Sequence, residues 1–369
     1  MKGKRIWLRA AAAVAVAAFL AGMTLRLISG GGAELSAPGR KKYAGVVTLW
    51  HVVGFKPYRG SVSNVLAEAA KRVERANYGV FFDVAAITPE EHALRISRGE
   101  RPDILSFPAG LVDGEGFLPL EAGDYPLRQA LLSTGVRDGA LCAIPYAITP
   151  MALVENNDLA RKLGLTLPEG NVDGPALLAA AQGASPTEKA ALFAGDAVAL
   201  ALLGGRGEAA SIDAFKEGKA AAALWEVRLG AELAARNERG KGFPYTLHGA
   251  EGCLSKAQYI GVSDSIGQSK QPYAELLLSA VVGDKVQAKL AALGLAPVLP
   301  MEEGWLSDPA LPIDPVALCE SAMLPNAFLL HRYRDALEDA ARRAMAGDAG
   351  AKKELDERLK ELVQGAQIK

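Results

Sequence analysis

The sequence predicts an α/β protein of two lobes, each a sheet flanked by helices, with the chain crossing between them. Three observations carry this. Residues 46–107 alternate apolar, β-branched runs with amphipathic stretches in the order β-α-β-α-β, which implies a parallel sheet with helices on both faces. Residues 139–165, GALCAIPYAITPMALVENNDLARKLGL, hold an apolar run that meets a proline, resumes and hands over to a capped helix, a layout suited to a chain passing from one sheet to another. At 369 residues, half of them apolar and 22% charged, the chain can bury the cores of two ordinary lobes.

Taken in order, 46–52 (VVTLWHV) is a strand by its β-branched and apolar content. Residues 61–77 form a helix, because Val65, Leu66, Ala69, Ala70 and Val73 recur at helical spacing and Ser61 or Ser63 can cap it. A strand at 80–86, a helix at 89–98 and a short strand at 101–107 follow. In the crossing stretch, 141–144 runs into Pro145 and continues as 146–154 before stopping at 155–158. Proline donates nothing to a strand ladder, so the strand breaks there or lies at a sheet edge. Asn157 or Asp158 can cap the next helix, whose apolar positions are Leu159, Leu163 and Leu165. Residues 156–253 are Ala- and Gly-heavy and predict helix-rich structure. Further helices are expected at 272–290 and through 313–369, where Leu337, Ala340, Ala341, Ala344 and Met345 form one stripe and 347–363 is amphipathic.

The N-terminus carries Lys2, Lys4, Arg5 and Arg9 ahead of sixteen uncharged residues, 10–25, and then Arg26. That is an export signal in residues 1–33, either cleaved near Gly31-Gly32-Ala33 or retained as an anchor with Arg9 and Arg26 snorkelling. A Gly-rich, basic stretch makes 34–44 a linker. The lobes are expected as 45–148 with 258–300, and 149–257 with 301–369. Net charge is −1, so nothing directs the chain to nucleic acid. Cys142, Cys253 and Cys319 are odd in number and far apart, which fits three buried thiols and no zinc site.

Enzyme signatures are missing: no H-E-x-x-H, G-x-S-x-G, S-x-x-K or Walker A sequence occurs. Gly205-Arg206-Gly207-Glu208-Ala209-Ala210 fits a relaxed dinucleotide fingerprint, but the Ala/Leu run before it lacks strand character, so it is read as a turn. His92 and His331 are expected at the surface. His51 lies at the C-terminal end of the first parallel strand, where clefts form in open α/β sheets; it is either a ligand contact or a satisfied structural histidine.

Five short signatures resemble, in order, the extracellular solute-binding proteins of ABC importers, family 1, in its sugar-binding, maltose-binding-like branch. They are Gly99-x-x-Pro102-Asp103-Ile104; Gly139, Ala143, Pro145, Asn156, Asp158 and Leu159 of the crossing; Gly218-Lys219-Ala220-Ala221; Gln287, Lys289 and Leu290; and Gly294-x-x-Pro297-Val298. Residues 254–262 (LSKAQYIGV) look like the return crossing. Glu155 and Asn157 depart from the usual Tyr and Lys, and 167–178 lacks the family's Thr and Trp.

The resemblance implies a two-lobe periplasmic-binding-protein fold, type II-like, with a ligand cleft between the lobes. It implies a small ligand of carbohydrate class, delivery to ABC importer membrane subunits, an extracytoplasmic location, a monomer, and no catalysis, cofactor, metal or nucleic acid. Ligand-binding residues are expected at His51, Ser106, Phe107, Tyr146, Trp225, Glu226, Arg228 and Tyr259, which place aromatic platforms beside hydrogen-bonding groups, as a sugar needs. Trp225 is equally readable as core. The alternative is a membrane-anchored sensor that reports to a receptor. An enzyme on this fold has only His51, Glu226 and Arg228 to supply its chemistry.

Overall fold

The computed structural model describes residues 43–187, 190–205, 209–299 and 323–364. The signal or anchor segment, most of the linker, part of the relaxed glycine motif, Cys319 and the start of the C-terminal helical region lie outside the described residues. Among the described residues no helix is long and apolar enough to cross a membrane.

Two five-stranded sheets form the frame. The first has the order β2-β1-β3-β12-β6, from β1 (Gly45–Val52), β2 (Val80–Ile87), β3 (Ile104–Pro108), β6 (Ile144–Thr149) and β12 (Lys256–Val262). β1 is parallel to β2 and β3, while β12 runs antiparallel to both β3 and β6, so the expected parallel sheet is mixed at one end. A small hairpin, β4 (Val136–Arg137) and β5 (Ala140–Leu141), precedes β6. Helix α1 (Val62–Ala76) buries Val65, Leu66, Ala69, Ala70 and Val73, the positions its spacing predicts. Ser61 starts it without a capping bond, its hydroxyl pairing with Ser63 instead at 2.6 Å. Helix α2 (Pro89–Ser97) has Pro at its start and Thr88 as its cap.

The crossing differs in detail from expectation. Pro145 sits within β6, opposite Tyr259 at a register shift in β12. β6 is the last strand of its sheet, and among the described residues only the single bridge Ile148–Ala296 borders it outside, so a missing N–H is tolerated there. The chain breaks instead at the buried Pro150, between β6 and β7 (Met151–Asn156). Asn156, not Asn157 or Asp158, caps α3 (Asn157–Leu163), its side-chain oxygen accepting from the Leu159 N–H.

The region expected to be helix-rich holds the second sheet, β8-β11-β7-β10-β9, from β8 (Asn171–Val172), β9 (Ala191–Gly195), β10 (Ala220–Glu226) and β11 (Tyr245–Ala250) with β7. Helices α4 (Gly174–Gln182), α5 (Ala197–Leu202), α6 (Ile212–Lys216) and α7 (Arg228–Glu238) connect these strands. Strand alternation divides β7 between two cores: Met151 and Leu153 pack with Leu177, Leu200 and Leu224, whereas Ala152 and Val154 pack with Phe215, Leu229 and Leu233. The expected 272–290 helix is two, α8 (Gln271–Val281) and α9 (Asp284–Ala292). The C-terminal helices are α10 (Leu329–Met345) and α11 (Ala349–Gln364), and Leu337, Ala340, Ala341 and Met345 of the expected stripe are buried in the second core. Leu324, Ala327 and Phe328, just ahead of α10, belong to the first core.

Gly195 closes β9 with φ of +117°, and a Cβ there would lie 2.2 Å from the Leu224 carbonyl oxygen. Gly195→Ala therefore meets both a backbone collision and a conformation costly to any L side chain. It is expected to lower stability by about 1–3 kcal/mol or more in urea unfolding; an unchanged midpoint would refute the close approach.

Candidate functional site: a cleft between the two sheets

β1 and β3 run parallel, so their C-terminal ends open at one edge of the first sheet. A cavity of about 370 Å³ lies beyond them. Val53, Gly54 and Phe55, which follow β1, and Pro108 and Ala109, at and after the end of β3, form one wall. Gly54 is needed there because a Cβ would come within 2.2 Å of the Pro108 Cβ. The opposite wall comes from the second sheet's elements: Asp196, Val198, Ala199 and Leu202 at the β9–α5 junction, and Leu330, Arg334, Leu337 and Glu338 of α10. Leu254–Ala257, the entry to the crossing strand β12, joins the walls.

Three charged groups of the lining, Asp196, Lys256 and Arg334, are already held in place. Asp196 caps α5 through the Ala199 N–H at 3.1 Å. Lys256 donates to the buried Glu226 carboxylate at 2.8 Å and lies over the Trp225 ring, 4.9 Å from its centre. Glu226 also accepts from Arg228 at 2.6 Å, and Arg228 pairs in turn with Glu232. Arg334 donates to the Gly110 carbonyl at 3.0 Å, and His331 Nδ1 reaches the same oxygen at 3.3 Å. α10 thus grips the loop after β3 with its first turns and buries its later turns in the second core. Cys253 is buried nearby, and burial, aided by Asp196, pushes its thiol up to about 12, so it stays protonated.

The eight residues expected at the site fall into three groups, none of which lines the cavity directly. His51, Ser106 and Tyr146 meet in one buried cluster. Ser106 Oγ lies 2.9 Å from His51 Nδ1, 2.8 Å from the Tyr146 hydroxyl and 3.1 Å from Gln258 Nε2. Phe107 and Tyr259 stack in the first core with centroids 6.1 Å apart, and the Tyr259 hydroxyl donates to the Pro325 carbonyl at 2.9 Å. Trp225, Glu226 and Arg228 form the third group, joined to the cavity through Lys256. His92, expected at the surface, is buried edge-on against Trp50, with centroids 6.4 Å apart.

The lining begins at Val53 and Pro108, two residues after the expected His51 and one after the expected Phe107. The Gly54-Phe55 step after the first strand carried a usable signal, a small residue followed by an aromatic at a strand exit. Arg334 and Glu338 carried none; they look like any polar helix face. Among the described residues no group of three or more His, Cys, Asp or Glu side chains is placed to hold a metal.

No protein-family model and no curated relative matches this sequence. Solved structures do match the fold. A cyclic α-maltosyl-1,6-maltose binding protein from Arthrobacter globiformis superposes with a TM-score of 0.65 at 17% identity, covering 88% of this chain and 99% of that one. An ABC substrate-binding protein from Listeria monocytogenes, in complex with cycloalternan, gives 0.60 at 14% identity over 88% and 100%. A receptor from Streptomyces glaucescens, solved unliganded and with acarbose, gives 0.57 at 15% over 88% and 100%. The chain has the two-lobe fold of these binding proteins. In the binding-protein fold the cavity's position, between two sheets and at strand C-terminal ends, is where a ligand can touch both lobes at once.

The cluster around Ser106 has a pH consequence. Burial holds the His51 imidazole at about 4, against 6.5 for a free one. The unfolded chain takes up this proton as pH falls through 6.5 and the folded chain only near 4. The stability His51 confers is therefore whole above 6.5 and lost between 6.5 and 4, by roughly 3 kcal/mol. His51→Gln is expected to flatten that limb when urea midpoints are compared at pH 7.5 and 4.5; an unaltered slope would assign the acid sensitivity to another group.

Proposed function

We propose that this protein is an extracytoplasmic solute-binding protein that captures a carbohydrate between its lobes and delivers it to the membrane subunits of an ABC importer. The observation that carries the reading is the charge balance of the cavity. Its lining holds two cations, Lys256 and Arg334, and two carboxylates, Asp196 and Glu338. Lys256 is bound to Glu226, Arg334 to a backbone carbonyl and Asp196 to a helix N–H. Such a lining offers oriented donors and acceptors without net charge, which suits a neutral, hydroxyl-rich ligand. The fold's solved neighbours carry maltosyl-maltose, cycloalternan and acarbose in their descriptions, in agreement with that class.

Within this proposal the lobes are 45–148 with 258–300 and 149–257 with 301–369, residues 324–328 packing on the first core. The ligand makes no covalent bond: contacts from both lobes favour a closed form that the importer recognises. The protein acts as a monomer and catalyses nothing. Trp225 supports Lys256 from behind the lining, and His51, Ser106, Phe107, Tyr146, Glu226, Arg228 and Tyr259 back the cleft walls.

Calorimetry of the full chain against maltose, linear and cyclic malto-oligosaccharides, amino acids and peptides tests this. Saturable binding of one glycan class is expected. Phe55→Ala should weaken it by about 1–3 kcal/mol through lost aromatic contact, and Trp225→Ala should weaken it by loosening Lys256, the donor its ring supports. Binding of an amino acid or peptide with no glycan response would overturn the carbohydrate assignment.

A further inference from the structure

The cleft is polar on one side only. Among its described lining residues, polar side chains belong to Asp196, Ser255, Lys256, Arg334 and Glu338, on the second wall and on the crossing that joins the walls. The first wall presents Val53, Phe55, Pro108 and Ala109, extended by Pro89 at the start of α2 and by Leu111 after β3. None of these side chains can donate or accept a hydrogen bond.

The backbone of that wall adds little. The Val53 N–H donates to the Ile87 carbonyl at 3.0 Å, the Ala109 N–H to the Ala257 carbonyl at 3.2 Å and the Leu111 N–H to the Pro108 carbonyl at 3.2 Å. Pro89 and Pro108 have no N–H. The Gly110 carbonyl, between Ala109 and Leu111, already accepts from Arg334 and lies within reach of His331. A ligand hydroxyl pressed against this wall loses its water and gains no partner there, which costs free energy. An aliphatic group in the same place sheds water without that cost. Val198, Leu202, Leu330 and Leu337 continue the aliphatic surface on the second wall, and Phe55 is the sole aromatic ring among the described lining residues.

We propose that the ligand of the cleft is an amphipathic glycan, a sugar that carries an aliphatic group. Its hydroxyls meet the polar side chains of the second wall and the crossing, and its aliphatic group lies on the first wall. This rests on the carbohydrate reading above and narrows it. A plain oligosaccharide has hydroxyls around every ring and must desolvate some of them against the first wall. An attached aliphatic group removes that mismatch, because each end of the ligand then faces the wall that matches it.

The test is calorimetry of the full chain with two matched pairs, glucose against n-octyl glucoside and maltose against n-octyl maltoside. All are used below the concentration at which the glycosides form micelles, with 1,2-octanediol as the sugar-free control. In at least one pair the octyl glycoside is expected to bind saturably, 1:1, and at least about tenfold tighter than its parent sugar, with a negative heat-capacity change from the buried chain. Val53→Thr and Leu111→Asn place a hydrogen-bonding group on the first wall and should each shrink that ratio by about threefold or more. The ratio is taken within one variant, so a general loss of stability does not imitate the effect; an unchanged ratio in both variants would overturn the placement of the aliphatic group. Equal affinity for parent sugar and octyl glycoside would overturn the proposal and leave the carbohydrate reading standing. Octanediol binding as tightly as the glycosides would overturn the carbohydrate reading itself, and the proposal with it. Binding of none of these probes would overturn the proposal, leaving the wider glycan panel to decide the reading beneath it.

Discussion

Ser106 Oγ is the point at which four strands of the first sheet are joined by side chains. His51 comes from β1, Ser106 from β3, Tyr146 from β6 and Gln258 from β12, and all four are buried. A serine hydroxyl donates once and accepts twice, and here the three bonds use that capacity fully. With the imidazole proton on Nε2 it donates to His51 Nδ1 and accepts from the Tyr146 hydroxyl and from Gln258 Nε2. Burial keeps the imidazole neutral by holding the His51 pKa far below its ordinary value. Gln258 Nε2 reaches the Val52 carbonyl as well, at 2.8 Å, fixing the exit of β1. β6 and β12 are the strands that enter and leave the second sheet, so the cluster locks both crossings to the strand ends that build the cleft.

From that anchor the cleft's shape follows in short steps. Val52 ends β1, and Val53, Gly54 and Phe55 turn directly into the cavity wall. Gly54 has no Cβ, so the turn can lie against Pro108 at the end of β3. Two residues before Gln258, Lys256 points to the other side, toward Glu226 of the second sheet. One crossing strand therefore holds the first lobe through an amide and the second through an ammonium. α10 supplies a second connection, with Arg334 on the loop after β3 and Leu337 in the opposite core.

The first lobe was legible because its signals are local and strong. β-branched strands, a helix with five apolar positions at the right spacing and a Pro-Asp strand entry all appear as expected. The Pro-Asp pair also has a physical purpose: the Asp103 carboxylate accepts from the Thr48 N–H and hydroxyl and from Lys270, tying β1, β3 and the approach to α8 together. The second sheet was illegible because its strands lack the usual residues. β10 begins with four consecutive alanines, all fully buried, and β9 ends in Ala194-Gly195; neither shows alternation or β-branching. Their strand character comes from pairing, β10 with β7 and β9 with β10, a tertiary effect. Glu155, a departure from the family pattern, is explained only by the fold, where it pairs with the buried His248 on β11 at 3.1 Å. Aromatic rings at strand ends suit a ligand platform and a core equally, and in this fold Phe107, Tyr146 and Tyr259 are fully buried.

The charges beside the cleft are settled within the protein itself. Beside the cleft, Glu226 is almost fully buried, and a buried carboxylate is tolerable only when paired. Arg228 and Lys256 pair it, Glu232 pairs Arg228, and Lys216 pairs Glu232, so three cations and two carboxylates alternate along one line behind the cleft. Lys256 thus reaches the cleft with its charge already committed, as a positioned donor whose ammonium has hydrogens to spare. A ligand that meets it gains hydrogen bonds without having to carry a counter-charge, which is the bargain a neutral sugar can accept and an anion has no special reason to prefer. The cleft therefore discriminates through the geometry of its fixed donors and acceptors.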